Sequence, residues 1–255
     1  MHLNSPAKRT AFIIGLIAFV ALILQAISRK SDLNTGDLRI SILDYETQRF
    51  VTKQDLQKMI QDTFSTGLNG IPVGSLDVKR IEQVLYNNNF IETADVYIDA
   101  TSHVNIKITQ RDPLLRVVDM EGSSYYIDKK GRFMPSSRHY TARVPVASGF
   151  INNRNYNVPL DNPTNPLFGL YILAQALRAD EFMNAQTEQI FVEKDGEFQL
   201  VPKIGNQRIL LGSAVDLDQK FRRLKIFYKE AIPYEGWTKY STINVKYKGQ
   251  IVCGK

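Results

Sequence analysis

Ala11 to Ile27 reads AFIIGLIAFVALILQAI, a run in which Gln25 alone is polar, and no other feature restricts this chain so strongly. As an α-helix at ~1.5 Å per residue the run spans about 26 Å, close to the ~30 Å hydrocarbon core of a bilayer. It exceeds the ~7–15-residue apolar core of a secretory signal peptide. Lys8 and Arg9 precede it and Arg29 and Lys30 follow it, so flanking charge leaves the orientation open. The short stretch ahead of the run favours a cytoplasmic tail at 1–10, a signal anchor at 11–28 and the folded bulk outside the cytoplasm. A peptide cleaved near Ala26-Ile27-Ser28 competes with that reading, and a buried core helix is a third. No Cys follows the run, which excludes a lipoprotein.

The 255 residues are 44% hydrophobic and 23% charged, which excludes collagen-like and strongly disordered classes. Cys253 is the single cysteine, so neither an intramolecular disulfide nor a Cys-based zinc site can form. The formal charge of +6 is unevenly placed: from Val201 onward eleven Lys or Arg face four acids, +7 in that segment. Such a lobe suits acidic partners, and equally a solvated lysine-rich helix face. For an exported chain no nucleic-acid partner is expected.

Residues 29–37 are polar and read as a short linker. Leu38, Ile40 and Ile42 alternate with polar neighbours, a half-buried strand. Thr52 caps a helix carrying Leu56, Met59 and Ile60, and a second helix begins near Asp77 with Val78, Ile81, Val84 and Leu85 on one face. Ala94, Val96, Ile98 and then Val104, Ile106, Ile108 form an antiparallel hairpin. The order β-α-α-β-β predicts a small α+β domain over 38–111, with both helices on one face of a three-stranded sheet.

From 112 to 255 the pattern is a mixed β domain with helices on an antiparallel sheet. Tyr125–Ile127 and Arg132–Met134 flank a turn whose Gly131 suits positive φ. Leu167 to Ala179 is helical. Ile190–Val192 turns at Asp195-Gly196 into Phe198–Leu200, and Val201–Ile204 turns at Gly205-Asn206 into Arg208–Leu211. Leu217, Phe221, Leu224 and Tyr228 stripe a helix that ends before Pro233. Ile243, Val245, Tyr247, Ile251 and Cys253 then share one face of a single long amphipathic strand reaching almost to the end of the sequence.

Reactive constellations are missing. His2, His103 and His139 are the only histidines, and no H-E-x-x-H, G-x-S-x-G, phosphate loop or G-x-G-x-x-G turn occurs. Asp95 and Asp99 share a strand face and read as solvated polar surface, and His103 as a turn residue. No enzyme activity, cofactor, metal or small-molecule substrate is expected.

The whole chain resembles the FtsQ/DivIB cell-division family. Arg111-Asp112-Pro113-Leu114 is similar to that family's E-R-x-P-L segment, with Gln110 where Glu is usual; Ile127-Asp128-x-x-Gly131-x-Phe133 is similar to its v-D-x-x-G-x-f hairpin. Leu211-Gly212, the helix with Arg222, Arg223 and Leu224, and Ile243-x-Val245-x-Tyr247 before Gly249 resemble its C-terminal block, with Lys246 where Arg is commoner. The resemblance implies an N-terminal transmembrane helix, a POTRA domain and a β domain in a non-catalytic scaffold of the inner membrane at the septum. It implies FtsB- and FtsL-type single-pass partners, the lipid bilayer held through the anchor, and support of septal peptidoglycan synthesis. The implied docking strand is Ile243, Asn244, Val245, Lys246, Tyr247, Lys248, Gly249, Gln250 and Ile251, with Tyr247 as anchor and Lys246 and Lys248 facing acidic partner residues. A POTRA-containing translocation factor is the alternative, but the stretch after Arg111 is too short for a sixteen-stranded barrel.

Overall fold

The computed structural model describes residues 6–64, 67–152 and 160–255, with side chains at Thr10, at 12–25 and from Ser31 onward. The chain divides into two compact units that meet in sequence between Gln110 and Arg111.

The first unit opens with helix α1 (Pro6–Ser31). Every described apolar side chain between Phe12 and Leu24 is exposed, so this helix buries none of them against the rest of the chain. Among the described residues no helix is long and apolar enough to cross a membrane. The expected tail at 1–10 and anchor at 11–28 lie partly outside the described residues and side chains. The stretch expected as a short linker, 29–37, is helical to Ser31, and beyond it is bonded to the loop at 68–73.

Strand β1 (Leu38–Ile42), helix α2 (Lys53–Thr63), helix α3 (Val78–Tyr86), β2 (Ile91–Ile98) and β3 (Val104–Gln110) realise the β-α-α-β-β order. The cap at Thr52 is a full capping box: Thr52 Oγ1 accepts from Asp55 N–H and Asp55 Oδ2 accepts from Thr52 N–H. The sheet order is β1-β3-β2, with β3 antiparallel to β2 and parallel to β1. Val104, Ile106 and Ile108 of the central strand are fully buried with Leu56, Ile60, Ile81 and Leu85 of the helices. Gln110, where a Glu is usual, is buried; its Oε1 accepts from Val51 N–H and its Nε2 donates to the Gln48 carbonyl. A carboxylate could not donate the second bond.

The second unit is a nine-stranded sheet. Its strands are β4 (Pro113–Val118), β5 (Ser124–Asp128), β6 (Phe133–Pro135), β7 (Val146–Gly149), β8 (Thr187–Val192), β9 (Phe198–Pro202), β10 (Arg208–Gly212), β11 (Thr242–Asn244) and β12 (Val252–Gly254). They lie in the order β12-β11-β10-β9-β8-β7-β4-β5-β6. Helices α4 (Phe168–Ala179), α5 (Glu181–Gln186) and α6 (Leu217–Ile226) supply Leu170, Leu173, Met183, Phe221 and Leu224 to the core. The sheet is mixed, not antiparallel as expected: β4 with β7, β7 with β8, and β10 with β11 are parallel pairs. Alternation within a strand carries no strand direction, and the helical crossovers α4–α5 and α6 return the chain to the starting end.

Three further expectations are corrected. Phe198–Leu200 and the first two residues of Val201–Ile204 are one strand, β9, which pairs β8 on one side and β10 on the other, and Lys203 and Ile204 lie in the bend beyond it. The last helix does not stop before Pro233: a π-helical stretch, Phe227–Ala231, leads into a short helix, α7 (Ile232–Glu235). Pro233 falls in the first turn of α7, where its missing N–H would have no helical partner anyway. The long terminal strand is broken into β11 and β12, with Gly249 at positive φ between them.

Asp180 ties α5 to α6: its carboxylate accepts from Met183 N–H and from Lys225 Nζ at 2.5 Å. Burial pushes this carboxyl up, but those hydrogen bonds outweigh it and its folded-state pKa lies below the ordinary aspartate value. The associated stability is therefore present above the unfolded pKa near ~3.9 and is lost as pH falls through the folded value. Asp180→Asn is expected to cost about 1 kcal/mol at pH 7 and to flatten the acid limb of denaturation below about pH 4, read by urea titrations across pH.

Candidate docking edge

A sheet in water has two ends, and each end leaves backbone N–H and C=O groups without a strand partner. In the second unit the ends are β6 and β12. Strand β6 finishes in Pro135, which has no N–H to offer, and the next residue donates its Ser136 Oγ–H to the Ser124 carbonyl. In the first unit β2 is an end strand, and Glu82 Oε1 of α3 accepts the Val96 N–H at 3.0 Å. Strand β12 contains no proline, and among the described residues no strand lies outside it.

The nine residues expected as one docking strand divide here. Ile243 and Asn244 belong to β11, which is enclosed between β10 (Ile209↔Ile243, Leu210↔Asn244) and β12 (Ile243↔Cys253, Asn244↔Val252). Their ladder positions are taken by the chain itself. Val245 to Ile251 form the connection, and the chain turns back at Gly249, whose φ of +74° is a left-handed conformation that favours glycine. The alternation Ile243, Val245 reads correctly, since both are fully buried. It fails at Tyr247, which is 53% exposed because the backbone leaves the sheet there. Lys248, Gly249 and Gln250 are exposed beside it. Ile251 packs partly on the core and Val252, the first residue of β12, is 46% exposed.

The connection is clamped at its root. Val245 N–H donates to the Leu210 carbonyl, and Arg223 Nη2 of α6 donates to the Val245 carbonyl at 2.8 Å. Lys246 N–H donates to Asn244 Oδ1, while Lys246 Nζ meets Glu197 Oε2 at 2.5 Å. That bond raises the Lys246 pKa above the ordinary lysine value. The Lys246 stem lies over Gly212, where a Cβ would come within 2.9 Å of Lys246 Cγ and Cδ. Lys246, expected to meet an acidic partner, is therefore already paired within the chain. A cleft of about 450 Å³ beside it is lined by Glu193, Asp195, Glu197, Phe198 and Leu210. Burial pushes the Cys253 thiol up, away from the reactive thiolate form.

The resemblance places Arg223 in the C-terminal block without giving it a role, and the residue pattern does not single out Glu197. That pattern makes Cys253 the end of the long strand and not part of a separate open strand, Val252–Gly254. The Lys248-Gly249 pair was the available signal, a turn dipeptide inside an apparently continuous alternation. Of the polar residues considered for chemistry, Asp99 organises the β2–β3 turn. It accepts from Thr101, His103 and Asn105 and pairs with Arg39; hydrogen bonds led by the Thr101 hydroxyl hold its carboxyl well below the usual range. His103 Nδ1 accepts from the Asp37 N–H. Among the described residues no group of three or more His, Cys, Asp or Glu is placed to hold a metal ion.

Comparison with known proteins follows the same division. A family model described as FtsQ/DivIB, C-terminal related, matches residues 112–254, and a POTRA-like domain model matches residues 35–109. The chain is 26% identical over 189 residues to the cell division protein FtsQ of Rhodothermus marinus, covering 72% of this chain and 67% of that one.

Arg223→Met leaves the buried side of the Val245 carbonyl without its donor. It is expected to cost about 1–3 kcal/mol and to speed amide exchange in Val245–Ile251. Glu197→Gln removes an ion pair whose side chains are 38% and 35% exposed, so its cost should stay below about 1 kcal/mol. Equal costs for the two variants would contradict the clamp.

Proposed function

The chain belongs to the FtsQ/DivIB family of cell-division proteins, and from that premise we propose that it is a non-catalytic scaffold held at the inner membrane of the septum. In this reading α1 is a signal anchor, with the N-terminus in the cytoplasm and both units outside it. The seventeen-residue apolar run and the exposure of its described side chains support the anchor, because such a surface needs an apolar solvent.

The second unit captures partners by strand addition at β12. An incoming extended segment would pair with the free side of Val252–Gly254, extending the sheet. Tyr247 and Lys248, exposed on the connection, would contact the same segment: the Tyr247 ring supplies apolar area and Lys248 a cation for acidic residues. The partners proposed are the FtsB- and FtsL-type single-pass proteins of the division machinery, whose capture would support septal peptidoglycan synthesis. The observation that carries this reading is the contrast between sheet ends: β6 finishes in proline, whereas β12 carries no such block.

Tyr247→Glu is expected to abolish retention of the FtsB-type partner in pulldowns from membranes while leaving the melting temperature within about 2 °C, as for an exposed substitution. Retention equal to that of the unaltered protein would refute edge docking. A fluorescent fusion should concentrate at midcell, and uniform envelope fluorescence would refute the septal assignment.

A further inference from the structure

The stretch that leaves α1 is strapped to the first unit. Ser31 meets Gly74, where a Cβ would lie 2.9 Å from Ser31 Cβ and 3.3 Å from the Ser31 carbonyl oxygen. Val73 N–H donates to the Leu33 carbonyl, Thr35 N–H to the Ile71 carbonyl and Gly70 N–H to the Thr35 carbonyl, and Asn34 pairs with Pro72 in an antiparallel bridge. Thr35 is buried, and its hydroxyl donates to the Leu68 carbonyl and accepts from Ile71 N–H. Asp37 N–H to His103 Nδ1 and Gly36 N–H to the Ser102 carbonyl continue the strap. Each residue from Leu33 to Asp37 is thus held to the first unit by at least one of these bonds.

This fixes a depth. Ile27 ends the apolar run, and Ser31 lies four residues further along the same helix, about 6 Å at ~1.5 Å per residue. A headgroup layer is roughly 5–7 Å thick, half the difference between the ~40–45 Å bilayer and its ~30 Å core. Any segment packed against Ser31 therefore sits among headgroups once the run is in the core. The segment there is Ile71–Ser75 with Leu33, and it presents Leu33 (52% exposed), Pro72 and the backbone at Gly74.

We propose that the loop Ile71–Ser75 and Leu33 form a lipid-contact surface that rests in the outer headgroup layer. The first unit is thereby seated on the bilayer and does not swing from a tether. The proposal rests on reading α1 as the anchor, and its test separates the two. Bimane is attached to the full chain carrying Cys253→Ser and one of Leu33→Cys, Ser75→Cys or Glu46→Cys. The protein is reconstituted in phosphatidylethanolamine–phosphatidylglycerol vesicles with and without a nitroxide on the lipid headgroup. Glu46 follows β1, whose five residues lead some 13 Å or more away from the strap at ~3.3 Å per residue.

Labels at positions 33 and 75 should be quenched severalfold more than the label at position 46. Thr35→Val, which removes both hydroxyl bonds of the strap, should lower quenching at position 75 and leave position 33 unchanged. Quenching at position 33 with position 75 as weak as position 46 would overturn the lipid-contact surface and leave the anchor standing. Quenching at none of the three would overturn both.

Discussion

Backbone hydrogen bonding is the constraint from which the rest of this structure follows. Each strand has to place its N–H and C=O groups on a neighbour, and in the nine-stranded sheet only the two end strands have a neighbouring strand on one side alone. The short helices and crossovers serve that pairing. Helix α6 carries the chain from the end of β10 back to its beginning so that β11 can pair it in parallel. What remains unpaired is then a property of a few residues: a proline in β6, and none in β12. In a family whose members act in cell division, an end strand without a block is the natural place to look for a partner.

The side chains around that edge hold it in place. Arg223 satisfies a carbonyl that the sheet does not, and Glu197 fixes the lysine that the family pattern suggested for partner contact. Both act on the first two residues after β11, and beyond them the connection is exposed. The first unit shows the same economy. Gln110 provides both a donor and an acceptor where a carboxylate would provide only acceptors, and Thr35 does so for the strap after α1. Gln110 and Thr35 each make two hydrogen bonds, which offset the cost of burying a polar side chain.

Local patterns read most of the secondary structure correctly wherever one element has one exposed and one buried face. Leu56 and Ile60, Ile81 and Leu85, and Val104, Ile106 and Ile108 are buried as their spacing predicts, and the caps at Thr52 and Asp77 form. The β-α-α-β-β order followed from those elements, and the family resemblance from short motifs spread across the chain. Ile243 and Val245 were legible for the same reason. Strand direction was not, because a parallel and an antiparallel neighbour ask for the same alternation.

The sequence by itself determined which faces are apolar, where helices start, that an apolar run of bilayer length is present and that the usual catalytic motifs are missing. These are consequences of residue type at fixed local spacing. Only the tertiary structure decided that β11 is enclosed, that Tyr247 leaves the sheet, that Lys246 is already paired and that β12 is the open end. Each of those depends on which segments, far apart in sequence, come to lie side by side. Arg223 and Val245 are joined by a bond that neither residue's own neighbours could foretell.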